Sequence, residues 1–197
     1  MKVQVDKTYP MPCSPEVAWE FLQNLEAVAQ CMPGAKITER LDAARYKGMV
    51  TVKVGPATMS FRGEVEMKDV DLAARTLRLL GKGTDSTGSS GASMNLTARV
   101  EAAEGGHCNL VGASEVSMSG KAAAFGGRMM NSVADQILKQ FADNFSAQVS
   151  ALQAQRGTGG ASAAPAPPKG AGELNVLALG WSILKDWLCR VFSRKSK

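Results

Sequence analysis

The sequence predicts an α+β domain: a curved antiparallel sheet around a long C-terminal helix, followed by a flexible linker and an amphipathic tail helix. Three observations lead there. Met130, Val133, Ile137, Phe141, Phe145, Val149 and Leu152 recur at three- and four-residue steps, one apolar helical face between residues 127 and 152. Ahead of them lie segments in which apolar and polar residues alternate between turn signals, the pattern of an antiparallel meander. Beyond residue 155 the chain becomes rich in Gly, Ala, Ser and Pro before one last apolar segment.

Residues 2–8 alternate and predict a first strand. Ser14-Pro15-Glu16 is a helix start, because Ser14 can accept from free N–H groups and Pro15 suits the first helical position. Val17, Phe21, Leu22, Leu25, Val28 and Met32 follow at helical spacing to the Pro33-Gly34 stop, with a break expected near Asn24. Strands are predicted over 36–41, 46–54 and 59–68, with Asp42-Ala-Ala and Gly55-Pro56 as turns. Three more fall at 75–83, 92–100 and 109–118. The helix over 127–152 widens its stripe with Ala134, Leu138 and Ala142, and sets Asp135, Lys139, Gln140, Asp143 and Asn144 on the other side. Such a stripe must be buried against something, and the sheet is the available surface.

The division is therefore a body over 1–155, a linker over 156–172 and a terminal helix over 173–197. The linker's composition gives it an average span of roughly 20–25 Å and a limit of about 60 Å. In the terminal segment Leu177, Trp181, Leu184, Trp187, Leu188 and Phe192 share one half of the helix circumference. Arg190, Arg194 and Lys195 bring positive charge. Three charges within the segment argue against a transmembrane span, and the two tryptophans with the basic end point to a helix lying in the membrane interface. These nine residues are the expected lipid-binding set.

Charge and cysteine usage narrow the function. The net charge is +5, from 23 basic and 18 acidic side chains. Seven of the basic and two of the acidic groups lie beyond residue 155, so the body holds sixteen of each and is neutral. A nucleic-acid-binding body would carry a basic face of its own. Cys13, Cys31, Cys108 and Cys189 are scattered, and with His107 as the single histidine no zinc-ligand spacing exists. The start of the chain carries charge where a signal peptide needs an apolar core, so a cytoplasmic location is expected, and the terminal helix adds the expectation of a peripheral place on the inner face of the cell membrane.

Ordered motifs then carry a resemblance. Cys31-Met-Pro-Gly34 precedes a strand, and Tyr46-Lys-Gly-Met-Val-Thr-Val-Lys-Val-Gly-Pro-Ala57 runs through a hairpin. Phe61-Arg-Gly63, Gly81-Lys-Gly-Thr-Asp85, Val116-Ser-Met-Ser-Gly-Lys121 and Phe125-Gly126 follow in order. Over residues 1–152 the chain resembles the carbon monoxide dehydrogenase G-subunit family, within the START-like (SRPBCC, helix-grip) superfamily. The resemblance implies an apolar cavity between sheet and helix and a gene-cluster partnership with a molybdenum hydroxylase such as carbon monoxide dehydrogenase. It also implies a role in holding that enzyme at the membrane and supplying it with respiratory quinone. Gly112 stands where many relatives carry a bulky aromatic.

The cavity-facing candidates are Val50, Val52, Met59, Phe61, Val65, Leu77, Leu79, Met94, Leu96, Leu110, Val116 and Met118 from the strands, with Ile137, Phe141 and Phe145 from the helix. Any one of them could simply fill a core. As a set, with small inward residues at Gly48, Gly63, Ala92, Gly112 and Ser114, they leave room, and methionines suit a long flexible ligand. The expected ligand is an isoprenoid quinone, ubiquinone or menaquinone, with no covalent cofactor. No catalytic constellation is present: Glu64 with Glu66 and Asp69 with Asp71 fall on a solvated face, and no nucleophile can be assigned to His107. The glycine-rich stretch 81–91 lacks a nucleotide-binding order and is expected to be a flexible strand connection. Three functions follow in order: a non-enzymatic quinone or lipid carrier, a recruitment adaptor with nothing in the cavity, and a START-like cyclase or hydratase.

Overall fold

The computed structural model describes residues 1–159, which belong to a compact unit spanning Met1–Ala161. Seven strands form one antiparallel sheet: β1 (Lys2–Met11), β2 (Ala35–Arg40), β3 (Arg45–Val54), β4 (Ala57–Asp71), β5 (Thr76–Asp85), β6 (Ser90–Ala102) and β7 (Cys108–Gly120). Their order across the sheet is β1-β7-β6-β5-β4-β3-β2, so every connection but one joins neighbours. The exception is the pair α1 (Pro15–Gln23) and α2 (Leu25–Cys31), which carries the chain from one edge strand to the other. Last comes α3 (Gly127–Gly159).

Local chemistry accounts for the helix bounds. The Ser14 hydroxyl accepts from the Val17 N–H, with Pro15 in the first turn. Asn24 closes α1 and opens α2, its side-chain oxygen accepting from the Ala27 N–H at 3.1 Å. Shared between two helices, it is the break the sequence marks. At its other end α3 runs on past residue 155 to Gly159, because nothing before Gly157 stops a helix and Arg156 pairs with Glu20 of α1. The rest of the predicted linker and the terminal helix lie outside the described residues. So do the expected lipid-binding residues Leu177, Trp181, Leu184, Trp187, Leu188, Arg190, Phe192, Arg194 and Lys195.

The stretch 81–91 departs from expectation. Gly81 to Asp85 belong to β5 and Ser90-Gly91 to β6, paired in register as Gly81↔Met94 and Gly83↔Ala92, so only four residues turn the chain. Here backbone pairing on both sides holds a strand that side-chain propensity alone would not.

Two apolar clusters pin the helices to the sheet. The larger joins α1, α2 and the C-terminal half of α3 to Leu77, Leu79, Ala98, Val100, Cys108 and Leu110 at one end of the strands. The Phe145 ring meets Phe21 edge-on at 5.0 Å, and the Asn144 amide donates to the Cys31 carbonyl at 2.9 Å. The smaller cluster sits at the other end, where Val3, Val54 and Met130 are buried with Met1, Met118, Phe125 and Val133 packed around them.

Candidate functional site

The inward face of each strand follows from alternation. From β3 come Val50 and Val52, from β4 Met59, Phe61 and Val65, from β6 Met94 and Leu96, and from β7 Val116 and Met118. Above them α3 comes close to the sheet along β1 on one flank and β3 on the other, and its C-terminal half packs through the larger cluster onto β5, β6 and β7. The half-buried inward side chains nearer its N-terminal half mark the place of the apolar hollow the sequence leads one to expect.

Burial divides the predicted lining. Leu77, Leu79, Leu110 and Phe145 are sealed inside the larger cluster, with Leu77 at 1% and Phe145 at 0% exposure, so they form its packed floor rather than a free wall. That corrects their place in the expected lining: sequence alternation tells which face a side chain takes, and the helices decide how deep it lies. Val65, Met94, Leu96 and Phe141 are half-buried against the larger cluster, and Val52 and Met118 against the smaller. Val50, Met59, Val116 and Ile137 are half-buried and belong to neither. Phe61 is buried between the two.

The small inward residues have different jobs. At Gly63 a Cβ would sit 1.9 Å from the Lys82 carbonyl oxygen, and at Gly48 2.9 Å from that of Lys36. These two glycines let neighbouring strands crease together, and they supply no space. At Gly112 the nearest atom to a Cβ would be Leu96 Cδ1 at 3.7 Å, an ordinary van der Waals contact with a side chain. Of these three glycines, Gly112 is the one where a Cβ would press on no backbone atom.

One polar pair on this wall escaped the sequence reading. Lys7 lies opposite Gly112, and its ammonium reaches the Asp135 carboxylate of α3 at 2.9 Å, tying β1 to the helix. The signal was available, since Val3, Val5, Lys7 and Tyr9 share one face of β1. Asp135 accepts from Lys7 and holds its pKa above the ordinary value, while burial raises that of the Tyr9 phenol. Both groups keep their protons at neutral pH. The described thiols are likewise protonated: burial raises Cys13 and Cys31, and pushes Cys108 up to about 12, although Cys13 and Cys108 Sγ lie 3.9 Å apart. His107 is exposed in the turn before β7. No group of three or more metal-ligating side chains occurs among the described residues.

The outer face carries a polar depression of about 560 Å³ crossing β4 to β7, flanked by Arg62, Glu64, Lys82, Ser93 and Ser117. By register these residues take the face of the sheet opposite to the core and α3.

A family model for CoxG, the G subunit of carbon monoxide dehydrogenase, matches residues 10–150. The chain belongs to that family. The match takes in every strand except the start of β1, and α3 as far as Ser150. Solved structures share the CoxG protein's fold. A conserved protein from Geobacillus kaustophilus is 18% identical with a TM-score of 0.68, over 75% of this chain and 95% of that one. A START superfamily protein from Mycobacterium smegmatis is 17% identical with a TM-score of 0.54, over 76% and 98%. The Zhui aromatase/cyclase from Streptomyces sp. R1128 is 15% identical with a TM-score of 0.55, over 76% and 94%. The chain matches no curated protein. The architecture is thus the START-like helix grip, a frame that houses different functions. Among the described residues no helix is long and apolar enough to cross a membrane.

Proposed function

We propose that this CoxG-family protein carries an isoprenoid quinone in the hollow beneath α3. In doing so it links a molybdenum hydroxylase of the carbon monoxide dehydrogenase type to the quinone pool at the inner face of the cell membrane. The observation that supports the reading is the half-burial of Val50, Met59, Val116 and Ile137, apolar side chains that join neither core. An apolar chain laid against them removes surface from water at about 25 cal/mol per Å² on both partners. Methionine at Met59, Met94 and Met118 lets the wall follow a flexible occupant. The donor set fits a polyprenyl tail, since these side chains offer only apolar contact. The quinone supplies the electron-accepting chemistry, and the chain binds and shields it.

The non-enzymatic reading draws support from the polar groups on this wall: Lys7 and Tyr9 are both held in their protonated forms, and the Asp135 carboxylate is engaged by Lys7. A base poised near neutrality is what START-like cyclase chemistry would need. The family's description as a component of a dehydrogenase supports the enzyme partner.

The test is native mass spectrometry and solvent extraction of protein purified from quinone-containing cells, with uptake from quinone-loaded liposomes. A stoichiometric quinone adduct is expected. Protein that emerges empty and takes up nothing would leave a recruitment adaptor and end the carrier reading.

A further inference from the structure

The body is neutral overall, yet its charge is unevenly placed. One end of the sheet carries the β3–β4 hairpin, the β5–β6 turn and the start of α3. They are neighbours: a Cβ placed at Gly55 of the hairpin would meet the Met129 side chain of α3 at 3.9 Å, and the Lys121 N–H donates to the Ser89 carbonyl of the β5–β6 turn. Lys53, Lys121 and Arg128 are exposed at this end and make no ion pair among the described residues. The nearby carboxylate, Asp85, is occupied within its own turn by the Ser90 N–H and the Thr87 and Ser89 hydroxyls. At the opposite end Glu16, Glu20, Asp42 and Asp69 are paired with Arg75, Arg156, Arg45 and Arg78, so its cations are engaged.

Exposed apolar side chains sharpen the contrast. The large ones among the described residues are Val70, Leu72 and Met129. Val70 and Leu72 alternate with Asp69, which pairs with Arg78, and Asp71, which accepts from the Ala73 and Ala74 N–H groups. Met129 follows Arg128 directly and stands with the unpaired cations. That end combines an exposed apolar side chain with positive charge free of ion pairs among the described residues, the pairing an anionic bilayer attracts.

We propose that the end formed by the β3–β4 hairpin, Lys121 and the first turn of α3 is a docking face for an anionic lipid bilayer. It turns the smaller cluster, and the hollow behind it, toward the membrane. The inference rests on the carrier reading for its purpose, since a ligand drawn from lipid must enter on the lipid side. Its contacts are independent of the chain beyond Gly159.

The experiment uses the full-length chain with Cys189→Ser, carrying a nitroxide at Met129→Cys or, as the control, at Leu72→Cys. Collision with oxygen and with an aqueous nickel chelate is read on vesicles of phosphatidylcholine with and without phosphatidylglycerol. Quinone uptake is measured in the same samples. The label at 129 is expected to enter lipid on anionic vesicles only, while the label at 72 stays in water. Replacing Lys53, Lys121 and Arg128 by Gln should lower the immersed-to-aqueous ratio on the order of a hundredfold, from about fivefold per charge removed. A 129 label that stays aqueous on protein-bearing vesicles overturns the docking face, as does immersion at 72. Protection at 129 that arises only when an acidic protein is added also overturns it. Uptake with an aqueous 129 label sinks the docking face and leaves the carrier; immersion without uptake does the reverse.

Discussion

Replacing Gly112 by Phe tests the hollow at an inward position where a Cβ would press on no backbone atom. Gly112 sits inward on β7, paired with Lys7 on one side and Ala98 on the other, and a Cβ there meets only Leu96 at 3.7 Å. A phenyl group would enter the hollow without forcing the backbone. A Phe side chain buries about 150–250 Å². If roughly 100 Å² of that replaces contact with the ligand, the loss at about 25 cal/mol per Å² is about 2.5 kcal/mol, or about seventyfold in Kd. Stability should hold or rise, since Phe suits a strand better than Gly. Gly63→Ala is the contrast, because its Cβ would collide with the Lys82 carbonyl at 1.9 Å and must push neighbouring strands away from each other. Quinone binding by titration and thermal unfolding separate the two: Gly112→Phe should lose affinity and keep its Tm, and Gly63→Ala should lose Tm. A Gly112→Phe protein that binds quinone at full strength, or unfolds as early as Gly63→Ala, would refute the reasoning.

Phe145→Ala empties a site at 0% exposure beneath Phe21, and denaturant unfolding should show a loss of about 3–5 kcal/mol. Asn24→Ala removes the acceptor that opens α2 and should cost about 1 kcal/mol in the same assay. The Asp85 carboxyl is held below its ordinary range first by the Thr87 hydroxyl and then by the Ser90 N–H and the Ser89 hydroxyl. Its contribution to stability is therefore present above the unfolded value near 4 and is lost as pH falls through the folded one. Asp85→Asn should flatten the acid limb of a stability–pH profile measured between about pH 5 and 2 and leave other groups' contributions in place. Cys13, Cys31 and Cys108 should resist a thiol reagent near pH 8 in the native protein and react within seconds in denaturant, since all are buried with raised pKa values. Fast native labelling at any of the three would contradict the packing described.

What the sequence made legible was local. Ser14-Pro15 and Asn24 announced two helices because a cap acts within three residues of itself, and the α3 stripe was plain because 3.6-residue periodicity needs no partner to be seen. Face was legible too: every predicted lining residue on the strands takes the inward side. Depth was not. Leu79 and Leu96 are opposite each other in register and meet the same cluster, yet one is buried and the other half-buried, a difference that alternation along a strand does not encode. Gly63 and Gly112 looked alike as small inward residues, and only the neighbouring strand's path decides at which of them a Cβ would press on backbone. Stretch 81–91 misled because its glycines speak for turns, whereas the strands beside it decide. Lys7 was passed over as one polar residue in an alternating strand, although its parity put it with Tyr9.

The unequal size of the two clusters has a dynamic consequence. Toward its C-terminus α3 is held by Phe145 and Val149, both at 0% exposure, with Asn144 bonded to Cys31. Toward its N-terminus Met130 alone is fully buried, just after the Gly126-Gly127 pair. Amide protons around 130–138 should therefore trade with deuterium well before those around 141–150. Such a gradient would let one extremity of the rod lift while the other stays rooted, so that a passenger could slip in or out without the fold coming apart.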